Sequence, residues 1–159
     1  MSIENIYTRG NDNIRTPGDF YSKLDEEFHF DKYDPCPENP EGLREFDGLS
    51  PAPENVKAYY MNPPYSNCAP WIRKAIEDSS RGITVVMLLK SDTSTKWFHE
   101  LVMPNAAVRF VKGRLKFLSG KPATFPSLIA VFQKKKREEL ELMPAQDFVI
   151  AGTFPPRSS

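Results

Sequence analysis

The spacing of apolar residues changes several times along the chain, and each change predicts a new element. Phe20, Leu24 and Phe28 recur every four residues, which predicts a helix over residues 19–27 that begins after Thr16-Pro17. The run ITVVMLL at residues 83–89 is apolar throughout, as in a strand buried on both faces of a sheet. By similar patterns we predict strands at residues 28–33, 56–61, 107–111 and 128–132, and helices at residues 71–78 and 94–102.

This alternation of strands and helices predicts an α/β fold whose sheet is mostly parallel and ends in a C-terminal antiparallel hairpin. Eight of the fifteen prolines lie between residues 34 and 70, so that stretch is expected to be largely loop. After Gln133 the periodic pattern stops, and we expect a short helix followed by a frayed end. We therefore divide the chain into an N-terminal tail (1–13), one domain (14–133) and a C-terminal extension (134–159).

Length and composition narrow the class of protein. The 159 residues include 40% apolar and 26% charged side chains, which is typical of one folded domain rather than a disordered chain. No apolar run approaches the roughly 20 residues that span a bilayer, and the first residues lack the apolar core of a signal peptide. Cys36 and Cys68 form no zinc-binding pattern with the histidines. We expect a cytoplasmic protein that uses neither a membrane nor a metal ion.

The net charge of zero conceals two oppositely charged halves. Residues 1–55 carry 13 acidic and 5 basic side chains, whereas residues 56–159 carry 8 acidic and 16 basic ones. The second half could present a basic face to a nucleic acid, or the two halves could simply complement each other within one domain. Charge alone leaves both interpretations open.

The tetrapeptide Asn62-Pro63-Pro64-Tyr65 follows a predicted strand directly, at the sheet edge where α/β proteins bind ligands. The Asn62 amide oxygen and a proline carbonyl are hydrogen-bond acceptors, and two acceptors can hold both hydrogens of one amino group. That arrangement draws the nitrogen out of conjugation and exposes its lone pair to an electrophile. Tyr65 offers a flat face for a base, and such stacking contributes roughly 1–3 kcal/mol. The alternative is a plain turn with Tyr65 packed in the core.

These four residues resemble the catalytic motif of amino-methyltransferases that use S-adenosylmethionine. The resemblance continues in order over residues 14–133, and on it the chain is identified as a member of the phage-type Dam family of DNA N6-adenine methyltransferases. Residues 92–99 are the part most specific to that family. The segments that carry the resemblance are Arg15-Thr16-Pro17, residues 30–34, residues 62–66, Pro70-Trp71, residues 85–89, residues 92–99 and residues 113–117.

The resemblance implies a compact, Rossmann-like class I methyltransferase domain that binds S-adenosylmethionine. Asp34-Pro35 stands where the family's cofactor signature belongs, although no glycine-rich turn follows it. The resemblance implies that Asp34 pairs with the ammonium group of the cofactor's methionine and that Asp47 accepts a hydrogen bond from the amino group of the cofactor's adenine. Thr16 and Pro17 resemble the segment that closes over the cofactor, and Asn62 is expected to contact the cofactor as well. The alternatives are that both aspartates cap turns and that Thr16 only caps a helix.

A second set of residues is expected to contact DNA. Ser66 follows the tetrapeptide, and Asp92, Thr93, Ser94 and Thr95 follow the buried strand, so they share one sheet edge; alternatively Asp92 or Ser94 only caps the next helix. His99 is expected to be a packing or surface residue. The window 109–121 holds five basic residues and no acidic one, which suits phosphate contact, although such a strand face is also often merely solvated. Within it, Arg114 and Lys116 are the candidate phosphate contacts and Phe117 a candidate second wall for the base.

The sequence therefore predicts methyl transfer from S-adenosylmethionine to adenine N6 in DNA, with no metal ion. Two other functions stay open. The same tetrapeptide can present an RNA base or a glutamine amide, which would make the protein an RNA or protein-glutamine methyltransferase. The missing glycine-rich turn would also suit a DNA-binding module that has lost its cofactor. No motif specifies the recognition sequence or the oligomeric state.

Overall fold

The computed structural model describes Thr16, residues 18–36, 48–115 and 125–134, and the backbone of residues 150–154. Two α-helices lie in these ranges, together with five strands, a short 3₁₀ helix (Tyr65–Asn67) and a π-helical turn (Phe98–Val102). The helices and strands are α1 (Gly18–Phe28), α2 (Ala69–Ser80), β1 (Ala58–Met61), β2 (Thr84–Lys90), β3 (Ala107–Val111), β4 (Ser127–Phe132) and β5 (Ile150–Phe154). No helix in these ranges is both long enough and apolar enough to cross a membrane.

The five strands form one sheet in the order β1-β2-β4-β3-β5. β1 and β2 are parallel, whereas β4 is antiparallel to both β2 and β3, and β5 is antiparallel to β3. The α/β class and the C-terminal antiparallel hairpin agree with the sequence prediction. A mostly parallel, Rossmann-like sheet is not confirmed, because one of the four strand pairs in the described part of the chain is parallel.

The sheet carries an apolar layer on each face, because successive strand residues point to opposite sides. On one face, Phe20, Tyr21 and Leu24 of α1 pack against Tyr60 of β1 and against β2 and β4. On the other, α2 and the π-helical turn cover the alternate residues of the same strands. β2 is buried along most of its length, as its unbroken apolar run predicts.

The strand predicted at residues 28–33 does not form, and that prediction was wrong. α1 continues to Phe28, and His29 ends it with a positive φ of 54°. The next residues run beside β1, where the Asp31 backbone N–H donates to the Ala58 carbonyl at 2.8 Å. The Asp31 carboxylate in turn accepts from the backbone N–H groups of Lys57 and Ala58, at 2.7 and 3.1 Å. The Asp31 side chain thus occupies backbone N–H groups that would otherwise be available for pairing with a neighbouring strand. The same hydrogen bonds lower the pKa of Asp31.

The chain end also differs from the prediction. The expected frayed end contains β5, which pairs with β3 from Val108↔Phe154 to Val111↔Ile150. Without this partner, β3 would expose a row of unpaired backbone groups along the sheet edge. The sheet thus extends beyond residue 133, and the division into tail, domain and extension stays a prediction. The helix expected early in the extension falls largely on residues 135–149, outside the described residues.

A buried carboxylate, Asp78 of α2, holds β1 against that helix. It accepts hydrogen bonds from the Tyr59 hydroxyl at 2.6 Å and the Ala52 backbone N–H at 3.2 Å. It also forms ion pairs with Lys74 at 3.0 Å and Arg81 at 2.5 Å. Burial alone would raise the pKa of Asp78, but the bonds from Tyr59, Arg81 and Lys74 outweigh it and hold the pKa below its ordinary value.

Lys74 extends this network to two loops. Its ammonium group donates to the Ser50 carbonyl at 2.6 Å and to the Tyr33 hydroxyl at 3.1 Å. Both Lys74 and Asp78 are almost completely buried. One ion pair therefore positions the segments on either side of residues 37–47, as well as the start of β1.

We predict that Asp78→Asn lowers the free energy of unfolding by about 3 kcal/mol at pH 7, because Lys74 then stays buried without its anion. The folded pKa of Asp78 lies below the unfolded value of about 3.9. Its stabilisation is therefore present above pH ~4 and is lost as the pH falls toward the folded pKa. Urea unfolding at pH 7, 5 and 3 should show a smaller acid-induced loss in Asp78→Asn than in the wild type. The exposed neighbour variant Glu77→Gln is the control, and an unchanged acid dependence in Asp78→Asn would contradict this assignment.

Candidate active site

The candidate site lies at the edge of the sheet where β1 and β2 end. Because these strands are parallel, their carboxyl ends meet at one edge, and Asn62 directly follows β1 there. Pro63 and Pro64 then lead into the 3₁₀ helix that begins at Tyr65. α2 starts at Ala69, with Pro70 in its first turn. The tetrapeptide therefore lies where the sequence predicted it.

The Asn62 amide is buried and held at both ends. Its nitrogen donates to the Thr16 hydroxyl at 3.5 Å, and its oxygen accepts from the Tyr65 hydroxyl at 3.0 Å. The side chain is 4% exposed. The amide oxygen therefore lies at the hydroxyl end of Tyr65.

Thr16 is fully buried beside Asn62. Its hydroxyl also lies 2.7 Å from the Tyr60 hydroxyl, so the segment before α1 is tied to the end of β1. Burial raises the pKa of Tyr60 well above its ordinary value, and Tyr65 and Asp34 raise it further, so its hydroxyl stays protonated. Pro17, predicted beside Thr16, lies outside the described residues.

Asp34 begins a turn next to this cluster. One carboxylate oxygen accepts from the Cys36 backbone N–H at 2.8 Å, which is the turn-capping role considered as an alternative. The negative charge of Asp34 also contributes to the raised pKa of Tyr60, whose hydroxyl bonds to Thr16.

Gly48 provides close packing where the sequence lacks a glycine-rich turn. A Cβ atom at Gly48 would lie 2.0 Å from the Pro35 carbonyl oxygen and 2.9 Å from the Trp71 side chain. Only glycine allows the chain to approach Pro35 so closely, so residues 48–50 pack directly on the Asp34-Pro35 turn. Asp47, the predicted contact for the cofactor's adenine, lies outside the described residues.

The structure adds an aromatic residue that sequence reasoning missed. The Phe125 ring lies 5.1 Å from the Tyr65 ring, centroid to centroid, in an edge-to-face arrangement at 78°. The Lys90 ammonium lies 4.6 Å from the centre of the Phe125 ring. A backbone bond of 2.9 Å from Ser91 N–H to the Pro126 carbonyl holds this segment in place. The sequence contained one indication of this position. If the strand at residues 128–132 pairs antiparallel to the strand at residues 83–89, the residues just before it must lie at the edge where that strand ends.

The loop over residues 92–95 lies at the same edge. Asp92, Thr93 and Ser94 are exposed. The Ser94 hydroxyl donates to the Asp92 carboxylate at 3.1 Å, while the Thr95 hydroxyl accepts from the Phe98 backbone N–H at 3.3 Å. Helix capping therefore falls to Thr95 rather than to Asp92 or Ser94.

His99 anchors this loop from the helical side. Its Nε2 atom lies 2.6 Å from the Thr93 carbonyl oxygen. This packing role agrees with the sequence prediction. Ser66, which follows the tetrapeptide, is exposed as well.

The structure corrects the predicted basic face. Arg109 is one of the five basic residues in the window that was predicted to suit phosphate contact, but it is only 1% exposed. Its guanidinium forms two parallel hydrogen bonds with the Glu27 carboxylate, at 2.7 and 2.6 Å, and lies 5.4 Å from the Phe28 ring. Strand parity explains the difference, since Arg109 shares the face of β3 that points to α1. Lys112 and Arg114 are exposed.

Several candidates in the basic window fall on residues that the structure does not describe: Lys116, Phe117 and Lys121. Among the described residues, no group of three or more His, Cys, Asp or Glu is placed to hold a metal ion.

We predict that Arg109→Ala lowers the free energy of unfolding by about 3–5 kcal/mol, because Glu27 loses a buried, bidentate partner. Lys112→Ala, at an exposed site directly after β3, should change the free energy of unfolding by less than about 0.5 kcal/mol. Arg109→Lys should restore only part of the loss, since an ammonium group cannot form the paired bonds. Urea denaturation checks all three variants, and equal effects of Arg109→Ala and Lys112→Ala would contradict the internal role.

The chain matches the family described as DNA N-6-adenine-methyltransferase (Dam) over residues 4–139. This match covers well over half of the chain, and the chain therefore belongs to that family. The phage-type Dam family predicted from the sequence is confirmed.

Two curated proteins are similar to it. The DNA N-6-adenine-methyltransferase of Haemophilus phage HP1 (strain HP1c1) is 36% identical over 85 residues, which cover 48% of this chain and 49% of the relative. The DNA N-6-adenine-methyltransferase of Escherichia phage T1 is 33% identical over 79 residues, which cover 40% of this chain and 33% of the relative. The chain thus spans half or less of the curated relatives that it matches. No solved structure matches it.

Proposed function

We propose that the protein transfers a methyl group from S-adenosylmethionine to adenine N6 in DNA, and that residues 62–65 hold the target amine. The observation that carries this proposal is the buried Asn62 amide, whose oxygen accepts from the Tyr65 hydroxyl at the carboxyl edge of the sheet. Membership of the Dam family supports the same reaction. The whole domain is proposed to be a compact, class I-like methyltransferase.

The adenine amine has two hydrogens, and the site offers an acceptor for each. The Asn62 amide oxygen has two lone pairs, so it can accept from the amine while it also accepts from Tyr65. We propose that a proline carbonyl of the tetrapeptide, from Pro63 or Pro64, accepts the second hydrogen. With both hydrogens held, the lone pair on nitrogen leaves conjugation with the ring and becomes nucleophilic. The surplus proton leaves to water or through Asn62 after transfer, and precise positioning supplies much of the rate.

A target base inside a duplex must first rotate out, which costs a few kcal/mol. Tyr65 and the half-buried Phe125 provide aromatic surfaces that can offset this, since stacking contributes roughly 1–3 kcal/mol per base. Lys90, over the Phe125 ring, adds a positive charge beside them. Phe125 is therefore proposed as an aromatic wall for the base, while Phe117, for which the sequence predicted this role, lies outside the described residues.

The residues beside Asn62 suit the methionine end of S-adenosylmethionine, which supplies an electrophilic methyl group when bound. Asp34 is a carboxylate within electrostatic reach of the Thr16–Tyr60 hydroxyl pair. A carboxylate has about four lone-pair sites, so Asp34 can accept from the cofactor's ammonium and still bond to Cys36. Pro35 lies in the same turn, packed against Gly48. We propose Thr16, Pro17, Asp34, Pro35 and Asp47 as the residues that hold the cofactor beside Asn62.

DNA contacts are proposed for the exposed groups around this edge. Asp92, Thr93 and Ser94 line one side, Thr95 completes the loop, and Ser66 lies on the neighbouring turn. Arg114 is proposed as a phosphate contact together with Lys116, and phosphate contacts of this kind are salt-dependent and largely blind to sequence. Both curated relatives are phage proteins, which supports a phage or prophage origin and activity in the bacterial cytoplasm.

We predict that Asn62→Ala lowers kcat for DNA methylation on the order of 100-fold, because it removes an acceptor aimed at the reacting amine. The assay measures transfer of labelled methyl from S-adenosylmethionine to adenine-containing duplexes and identifies N6-methyladenine by mass spectrometry. Asn67→Ala is the matched control, since Asn67 is exposed on the 3₁₀ helix. Near-wild-type turnover by a folded Asn62→Ala variant would overturn the catalytic assignment. Methyl transfer to RNA or to glutamine in place of DNA would overturn the proposed substrate.

We predict that Asp34→Asn weakens S-adenosylmethionine binding more than about tenfold, since a hydrogen bond to a charged group contributes about 1.5–3 kcal/mol. The amide can still accept from Cys36, so this variant removes the charge and keeps the turn. Isothermal titration calorimetry measures the affinity, with Asp92→Asn in the exposed loop as the control. Equal affinities in wild type and Asp34→Asn would refute the contact, and a wild type that binds no cofactor would favour a DNA-binding module.

A further inference from the structure

We propose that Tyr60 is a positioning residue for methyl transfer, which acts through the Thr16 hydroxyl to fix the orientation of the Asn62 amide. This inference rests on the proposed function, because it assigns to Asn62 the role of acceptor for the target amine. Tyr60 itself touches neither the base nor the methyl donor in this arrangement.

A continuous line of buried polar atoms joins the two residues. The Tyr60 hydroxyl lies 2.7 Å from the Thr16 hydroxyl, which lies 3.5 Å from the Asn62 amide nitrogen. Tyr60 and Asn62 are two positions apart along an extended chain and therefore point to the same face of the sheet. All three residues are buried, with exposures of 2%, 0% and 4%.

The orientation of the amide decides whether Asn62 can hold an amine. With its oxygen toward Tyr65, the amide presents an acceptor to the target amine. Rotated by 180°, it would present its NH₂ group instead, and that group cannot accept the hydrogens of the amine. The Tyr65 hydroxyl cannot prevent that rotation alone, because a hydroxyl donates to an oxygen and accepts from a nitrogen equally readily. The contact at the other end of the amide, with Thr16, can select the orientation.

The Thr16 hydroxyl can select the orientation of the Asn62 amide when it donates its single proton to another group. When Thr16 donates to Tyr60, it offers Asn62 only lone pairs, and only the amide nitrogen can face it. Removing the Tyr60 hydroxyl releases the proton, which can then bond to an amide oxygen turned toward Thr16. Tyr60 thereby controls the orientation of Asn62 from within the apolar layer.

Apart from its bond to Thr16, the Tyr60 side chain packs against aromatic rings. The ring packs against Tyr21 and Phe30, with centroids 5.4 and 5.9 Å away. A hydroxyl buried in such a layer is unfavourable unless it is hydrogen-bonded. Tyr60→Phe therefore removes the proposed function of the side chain and keeps its packing.

The test compares wild type with Tyr60→Phe, Thr16→Val and the double variant. We expect each single variant to lower kcat for DNA methylation about tenfold, a loss typical of one hydrogen bond, with KM for DNA changed less than twofold. The double variant should be no slower than Thr16→Val, because both substitutions break the same line of contacts. Thr16→Ser, which keeps the hydroxyl, should restore the rate.

A second measurement does not depend on catalysis. The side-chain NH₂ signal of Asn62 in a ¹H–¹⁵N NMR spectrum, assigned by its loss in Asn62→Ala, should shift in Tyr60→Phe and in Thr16→Val. Tyr59→Phe is the matched control, since Tyr59 also has a buried hydroxyl but donates it to Asp78 on the other face of the sheet. That control should lose stability and leave both kcat and the Asn62 signal unchanged.

The outcomes separate this inference from the proposed function. If Tyr60→Phe only loses stability, as Tyr59→Phe does, and retains the wild-type kcat and Asn62 signal, Tyr60 is structural and the inference is wrong. If the wild type methylates no DNA, the proposed function fails, and the NMR signal still decides whether Tyr60 orients Asn62.

Discussion

The parallel pairing of β1 with β2 is the constraint on which the rest of the site depends. β1 has only four residues, yet its end determines where Asn62 lies and brings it to the edge that also carries Lys90 and the 92–95 loop. So short a strand needs support from its surroundings. Asp31 bonds to backbone donors at its start, and Asp78 accepts from the Tyr59 hydroxyl on one face. Two carboxylates from distant parts of the chain thus stabilise the strand that positions the tetrapeptide.

The buried charges act inside the fold more than on its surface. Arg109 joins β3 to α1 through Glu27, and Lys74 with Asp78 joins α2 to the loops beside β1. Such pairs contribute little net stability, since the desolvation of each ion opposes their attraction, but either partner alone would be strongly unfavourable. Their consequence is that the helices are tied to defined positions over the sheet, and that fewer basic side chains reach the surface than the composition suggests.

The candidate site is assembled from segments far apart in sequence. Thr16 comes from the residues before α1, Asn62 and Tyr65 from the end of β1, and Phe125 from the approach to β4. Hydrogen bonds give Asn62 its orientation, and the two aromatic rings form a surface beside it. This combination of an oriented acceptor and a stacking surface is what the chemistry of an exocyclic amine requires, and it accords with membership of the Dam family.

The sequence by itself determined the features that depend on local pattern: the buried strand at β2, the strand before residues 62–65, both helices within a few residues, the hairpin of β3 and β4, and the family. Only the tertiary structure decided the features that depend on which surfaces meet. The sequence suggests that Arg109 lies on a basic surface, but the alternation of side chains along β3 points it toward Glu27. The pattern of residues 28–33 suggests a strand, but in the structure the Asp31 side chain binds backbone donors at the start of β1. β5 pairs with the edge of β3 that would otherwise be open, and the residue pattern of 150–154 by itself does not indicate that this edge is there. Tyr60 and Phe125 have ordinary apolar positions in the sequence, and they become part of the candidate site because long-range packing brings them beside Thr16 and Tyr65.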